Sequence, residues 1–280
     1  MNFYTLFHLN LLYSSVKESE RAAVIENCYW PLLNLSESIP VGLEMGGCTL
    51  EIIKELDPGF IAKLSEQIKA KKIELIASGY TQVIAPLVPA EVNEKNLQIG
   101  LDVYQKLFGI TPKIALLNEQ AFSRGLVDLY VNMGFDALVV DMSRIRHLTT
   151  HWFKPCTIQG TSKQITAIWN DSVVFQKFQR YAHGQMVLDD YLDWLEQQSE
   201  RVDDCFPLYG NDAEIFNFRP GRYLAEPDLE HDEWQRINDM IHELKKQDHN
   251  FVFPSQLLGE DACNTHLELS DVSCPVSVKK

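Results

Sequence analysis

Ile114-Ala115-Leu116-Leu117 is a run of four apolar residues that stops abruptly at an amide, a carboxylate and a second amide, Asn118-Glu119-Gln120. A short continuous apolar run is how a strand buried on both faces reads, as in a parallel sheet. Polar groups that begin where the run ends belong at the strand's carboxyl end, where parallel α/β folds carry their reactive loops. The same transition recurs in Leu208-Tyr209-Gly210-Asn211-Asp212-Ala213-Glu214. Together the two stretches predict that Glu119 and Asp212 face each other across one pocket.

The remaining pattern fits such a sheet. Residues 3–9, 41–43, 73–77, 137–141, 205–209 and 250–254 read as further strands, with Pro207 marking an edge or an irregularity. Helical patterns cover 18–35, 49–56, 58–72, 92–107, 125–133, 187–198 and 228–246. Asp57-Pro58 supplies a cap and a first helical position, and Phe108-Gly109 a stop, whereas Pro31 interrupts the first helix. Gly46-Gly47 reads as a turn. Residues 152–158 and 164–169 read as a hairpin around Gly160-Thr161, and 175–178 as a strand or a turn of helix. Strand and helix alternate with short connections, which argues for a parallel sheet and, at this recurrence, a barrel. The 280 residues accommodate one, since about 250 is ordinary for that fold. The expectation is an α/β barrel over 1–258. The pattern-poor residues 259–280 would begin a C-terminal extension that the chain cuts short.

The net charge of -14 argues against a phosphate-backbone partner, which needs a basic face, and suits a neutral substrate. Six cysteines are scattered with no C-x-x-C, as expected of reduced thiols in a cytoplasmic protein. The opening Met1-Asn2-Phe3-Tyr4-Thr5-Leu6-Phe7-His8 lacks a basic region and a small-residue cleavage site, and reads as a strand rather than a signal peptide. No stretch reaches the roughly 20 apolar residues of a membrane span. Nothing in the pattern sets an oligomeric state.

Two carboxylates at separate strand ends are the minimum equipment for cleaving a glycosidic bond. One protonates the leaving oxygen; the other attacks the sugar or activates water. The acid needs a raised pKa, and Glu214, close to Asp212 in sequence, would help raise it if both side chains point the same way.

In the order and content of five stretches the chain resembles glycoside hydrolase family 57. Phe7-His8-Leu9-Asn10, Ser78-Gly79-Tyr80-Thr81-Gln82, Leu116-Leu117-Asn118-Glu119 and Asn211-Asp212-Ala213-Glu214-Ile215-Phe216 are similar to four of its motifs. The strand ending at Asp141, with the later hairpin, stands where the family has its corresponding strand. The resemblance covers residues 3–254. It implies an incomplete (β/α)7 TIM-like barrel and a retaining double displacement on α-linked glucans or galactosides. Glu119 would be the nucleophile and Asp212 the general acid/base, with His8 binding a hydroxyl of the cleaved sugar. The chain departs from the family at Gln82, where a glutamate is usual, at Asn10, where a proline is common, and at Ala213, where a glycine is common. Little of the family's helical C-terminal region is present, which leaves the substrate open.

On this reading His8, Asn10, Glu44, Tyr80, Gln82, Asn118, Trp152, Glu214 and Tyr223 surround an oligo- or polysaccharide. Trp152, Trp169 and Tyr223 are the candidates for stacking on a sugar ring, with core packing as the alternative for each. Glu119 alone would serve equally as a helix cap, and Asp212 as a turn residue. Arg219 and Arg222, flanking Pro220-Gly221, would hold the last motif by carboxylate pairing or lie on the surface. His147 and His151 have the i, i+4 spacing of a metal pair. No glutamate lies between them, however, and Thr149-Thr150 is poor helix, so neither metal nor cofactor is expected. Two other functions remain as alternatives. A metal-dependent carbohydrate deacetylase has a similar barrel, which Asp141 and this histidine pair imitate only roughly. The other is a barrel that binds carbohydrate without turning it over.

Overall fold

β1 (Asn2–Leu9) is the strand around which the computed structural model is built: seven of its eight residues are buried. Residues 1–142, 152–199, 202, 205–219, 232–258 and 263–267 are described. After β1 come α1 (Arg21–Val24), α2 (Trp30–Leu35), β2 (Val41–Met45), α3 (Gly47–Leu56), α4 (Pro58–Lys69), β3 (Ile73–Ile76), α5 (Ala90–Phe108) and β4 (Ile114–Leu116). Then follow α6 (Arg124–Asn132), β5 (Ala137–Asp141), β6 (Cys156–Gln159), β7 (Gln164–Asn170), α7 (Ser172–Ala182), α8 (Leu188–Ser199), β8 (Cys205–Tyr209), α9 (Glu233–Lys246), β9 (Asn250–Phe251) and β10 (Cys263–Leu267). Among the described residues no helix is long and apolar enough to cross a membrane.

β1 pairs in parallel with β2 along one side and with β8 along the other, and β9 adds a short pairing at its start. β2 continues to β3, β4 to β5, and β5 to β7, all parallel. Ala77 joins the two halves: its N–H donates to Ile114 O at 2.9 Å and its carbonyl accepts from Leu116 N at 2.7 Å. The barrel order is therefore β1-β2-β3-β4-β5-β7-β8, an incomplete (β/α)7 barrel. It stays open between β7 and β8 for a local reason. The hairpin partner β6 runs antiparallel along β7 from Cys156↔Ala167 to Gln159↔Gln164, on the edge opposite β5. That is the edge β8 would need. The last residue of β7 reaches across, where Asn170 Nδ2 donates to Gly210 O at 2.7 Å. A Cβ on Gly210 would lie 2.1 Å from Asn170 Oδ1, so the tie depends on glycine. Pro207 coincides with a register shift in the β1–β8 pairing.

Local chemistry explains most boundaries. Pro31 has no N–H for the carbonyl of Asn27; a π-turn at Ile25–Tyr29 precedes it, and Trp234 Nε1 supplies the missing donor to Asn27 O at 3.1 Å. Asp57 caps α4 through Phe60 N at 3.0 Å, and Gly109 ends α5 at φ 70°. Several expectations are corrected. Gly46-Gly47 is no free turn: Gly47 opens α3, whose first amides, on Gly47 and Cys48, donate to Gly79 O and Tyr80 O. Of the two readings of 175–178 the helix holds: they lie inside α7, which Asp171 caps by accepting from Val173 N and Val174 N. The strand expected over 250–254 is only two residues long, because Pro254 opens a 3-10 turn. Past residue 258, Cys263–Leu267 forms β10, paired parallel to β6.

Candidate active site

The strand carboxyl ends surround a cavity of about 440 Å³. β1 contributes His8, and the turn after β4 contributes Asn118, Glu119 and Gln120. β5 and β7 end in it at Asp141 and Asn170, and the turn after β8 adds Asn211 and Asp212. Gln82, Leu116, Gly210 and three residues of α7, Ser172, Phe175 and Gln176, complete the wall.

Glu119 and Asp212, 93 positions apart in the sequence, thus meet in one cavity. Glu119 is exposed to it and sits at φ 55°, followed by Gln120 at φ 51°. Two successive non-glycine residues in the left-handed region cost about 1–3 kcal/mol each, a strain typical of functional turns. Asp212 is held by lacing β8's end to β1's. His8 N donates to Asn211 O at 3.0 Å, Ala213 N to His8 O at 2.9 Å, and Tyr209 Oη to the Asp212 carbonyl at 2.7 Å. Burial pushes the Asp212 carboxyl above its ordinary range; His8 pulls it partly back, and Glu119 and Glu44 push it further up. A carboxyl whose pKa is raised, in one cavity with a second, exposed carboxyl group, is the arrangement an acid-and-nucleophile pair requires.

His8 Nδ1 lies 3.2 Å from Glu44 Oε2. Burial disfavours the charged imidazole, but the Glu44 hydrogen bond and charge, with Asp212 and Glu214, outweigh it and raise the His8 pKa. Glu44 itself is fully buried behind His8 and does not line the cavity. Asn10 does not line the cavity either; its Nδ2 donates to Gln82 Oε1, in the wall, at 2.8 Å. Two of the three departures from the family pattern, Asn10 and Gln82, are therefore hydrogen-bonded to each other.

Three more expected sugar contacts, besides Glu44 and Asn10, are placed elsewhere. Tyr80 turns onto α3, where its hydroxyl donates to Glu51 Oε2 at 2.9 Å. Trp152 packs against the core beside an isolated bridge to Val202. Glu214 is 2% exposed and accepts from Asn10 N at 2.6 Å and from the Tyr29 hydroxyl, so it ties the loop after β1 to the loop after β8. Its carboxyl and that of Asp212 repel each other. Burial, then the Asp212 charge, push the Glu214 carboxyl itself up to about 7. Trp169, another stacking candidate, is buried, with Nε1 on Lys154 O. Arg219 does hold the last motif by carboxylate pairing, with Glu233 at 2.8 Å. Tyr223, Arg222, His147 and His151 lie outside the described residues. Asn170 and Gln120 are wall residues that the sequence reading assigned no role, and Asp141 is one that it weighed only for the metal-dependent alternative. Their signal is the one that found Glu119: a polar residue closing an apolar run.

The raised groups set a pH response. A carboxyl whose folded pKa exceeds its unfolded value binds more protons when folded, so its contribution falls as pH rises. For Glu214 that interval runs from the ordinary glutamate value of 4.5 to about 7. The unfolding temperature is therefore expected to decline across it. Glu214→Gln, whose amide oxygen still accepts from Asn10 N and Tyr29, should flatten the decline. An equally steep decline in thermal melts of both proteins would remove Glu214 as its source.

Comparison with known proteins gives the same architecture. Alpha-amylase 1 of Dictyoglomus thermophilum is 27% identical over 120 residues, 41% of this chain and 17% of that protein. The 4-alpha-glucanotransferase of Thermococcus litoralis is 23% identical over 201 residues, 70% of this chain and 30% of that protein. The crystal structure of the latter enzyme superposes with a TM-score of 0.78 at 20% identity, over 96% of this chain and 42% of the other. A family 57-type branching enzyme from Pyrococcus horikoshii gives 0.73 at 12% identity, over 96% and 72%. The chain thus spans less than a third of the length of the two sequence relatives. The description "Glycosyl hydrolase family 57" matches residues 3–260, nearly the whole chain and all seven barrel strands, and the chain belongs to that family.

Proposed function

We propose that the chain is a retaining glycoside hydrolase or transglycosylase acting on α-linked glucans, with Glu119 as nucleophile and Asp212 as general acid/base. The observation that carries this reading is the shared cavity: an exposed Glu119 from one side and Asp212, its carboxyl pKa raised by burial, from the other.

In the first step the Asp212 proton passes to the glycosidic oxygen as its bond to C1 breaks, and a Glu119 carboxylate oxygen bonds to C1. In the second, a water or sugar hydroxyl attacks C1, gives its proton to Asp212 and displaces Glu119. His8, with Nδ1 engaged by Glu44, has Nε2 left for a sugar hydroxyl. The family membership and the names of the relatives support an α-glucan as substrate. The scattered cysteines, with no C-x-x-C, support the cytoplasmic placement.

The test is the configuration of the first product. Proton NMR of a maltooligosaccharide incubated with the protein should show the α-anomer before mutarotation. The β-anomer would overturn the double displacement, and no conversion of any α-glucan would overturn the substrate class.

A further inference from the structure

The cavity wall is made largely of groups suited to hydroxyls: carboxylates, amides and an imidazole. A sugar ring also presents a flat C–H face, and an aromatic ring is its natural partner. Among the described residues one phenyl ring meets that need. Phe175 lies in the wall, half-buried, and the sequence candidates Trp152 and Trp169 do not.

Its placement is built into α7. Asp171 caps the helix, and Phe175 N donates to Asp171 O at 3.1 Å, which fixes the first turn. Ser172, Phe175 and Gln176 have i, i+3, i+4 spacing, so one face of that turn looks into the cavity, while Val174, Phe178 and Tyr181 are buried. The turn leaves a hydroxyl and an amide beside the phenyl ring, equipment for both the edge and the face of one sugar.

The barrel order assigns that sugar. α7 follows β7, next to β8 in the barrel, and packs against β8, which carries Asp212. Glu119 is across the barrel on β4, with β5 and β7 between it and β8. The leaving sugar, and later the acceptor, lies on the side of the acid/base group.

Resting on the glycosidase reading above, we infer that Phe175, with Ser172 and Gln176, forms the subsite for the leaving and acceptor sugar, and that Phe175 is its stacking platform. This subsite then decides how the glycosyl-enzyme partitions between a sugar acceptor and water.

The experiment uses α-maltosyl fluoride as donor, whose leaving group is a single atom that does not fill the subsite, and maltose as acceptor. Fluoride release without acceptor reports the donor side; transfer product against maltose concentration reports the acceptor side. Phe175→Ala should raise the acceptor KM about tenfold and lower the ratio of transfer to hydrolysis in step, with a much smaller change in donor kcat/KM. Phe175→Tyr should restore both. An unchanged acceptor KM, with or without a lower unfolding temperature, overturns the inference and leaves Phe175 a packing residue. Equal losses on both sides overturn the assignment to the acceptor. A wild type that releases fluoride but transfers to no sugar overturns the inference alone, whereas one that releases no fluoride overturns the glycosidase reading beneath it.

Discussion

Glu119→Gln is expected to reduce turnover of an α-linked glucan by a factor on the order of 10⁴ or more, the scale of loss when the nucleophile of a covalent mechanism is removed. The amide keeps the size and hydrogen-bonding reach of the side chain but cannot form the ester. Binding should therefore survive: calorimetric titration with a maltooligosaccharide should give an affinity within a few-fold of wild type. The fold should survive too, because Glu119 is exposed and the left-handed backbone at φ 55° is shared by both residues. A thermal melt is the control. Truncation gives a second, positive readout. In Glu119→Ala the face of C1 opposite the leaving group is vacant, and azide entering there should yield a β-glycosyl azide from an activated α-donor. Turnover by Glu119→Gln within tenfold of wild type would falsify the nucleophile assignment whatever the fold.

The two catalytic candidates were legible in the sequence because their signal is local. An apolar run that stops at a carboxylate says where a strand ends, and the parallel topology then sends all such ends to one face. The barrel was legible for the same reason, from recurrent strand–helix alternation. The gap in it was not. It depends on β6 claiming one edge of β7, a choice between partners that no single stretch encodes. Side-chain direction was also hidden. Glu214 is a buried tie because Asn10 and Tyr29 meet it from 204 and 185 positions away. Tyr80 leaves the cavity for the same kind of reason: Gly79 and Gly100 pack backbone against backbone, and the loop turns onto α3 and α5. Phe175 escaped notice because the hairpin before it blurred where α7 starts. Asn170-Asp171-Ser172 carries the missing cue, a strand end followed at once by a helix cap.

Asp212→Asn should show a different pattern of loss, and the difference identifies the residue. General acid–base assistance is worth about 10²–10⁴-fold, but only where the leaving group needs a proton. Turnover of a glucan should fall by that range, whereas fluoride, which leaves without protonation, should still depart readily in the first step. The ester would then accumulate, because water attacking it has lost the base that takes its proton. Azide needs no base. It should speed turnover of the fluoride donor and give an α-glycosyl azide, the anomer opposite to that expected from Glu119→Ala. The pH profile supplies the sign check. Burial and the charges of Glu119 and Glu44 hold the Asp212 pKa up, so the acid stays protonated beyond the ordinary aspartate range. Glucan kcat/KM should fall as pH rises through that raised value, and this limb should be absent from the variant. The asparagine keeps the backbone bonds that lace β8 to β1, since His8 and Tyr209 contact main-chain atoms of Asn211, Asp212 and Ala213. If fluoride and glucan turnover decline equally and azide changes neither, Asp212 holds the turn after β8 and the proton comes from elsewhere in the wall.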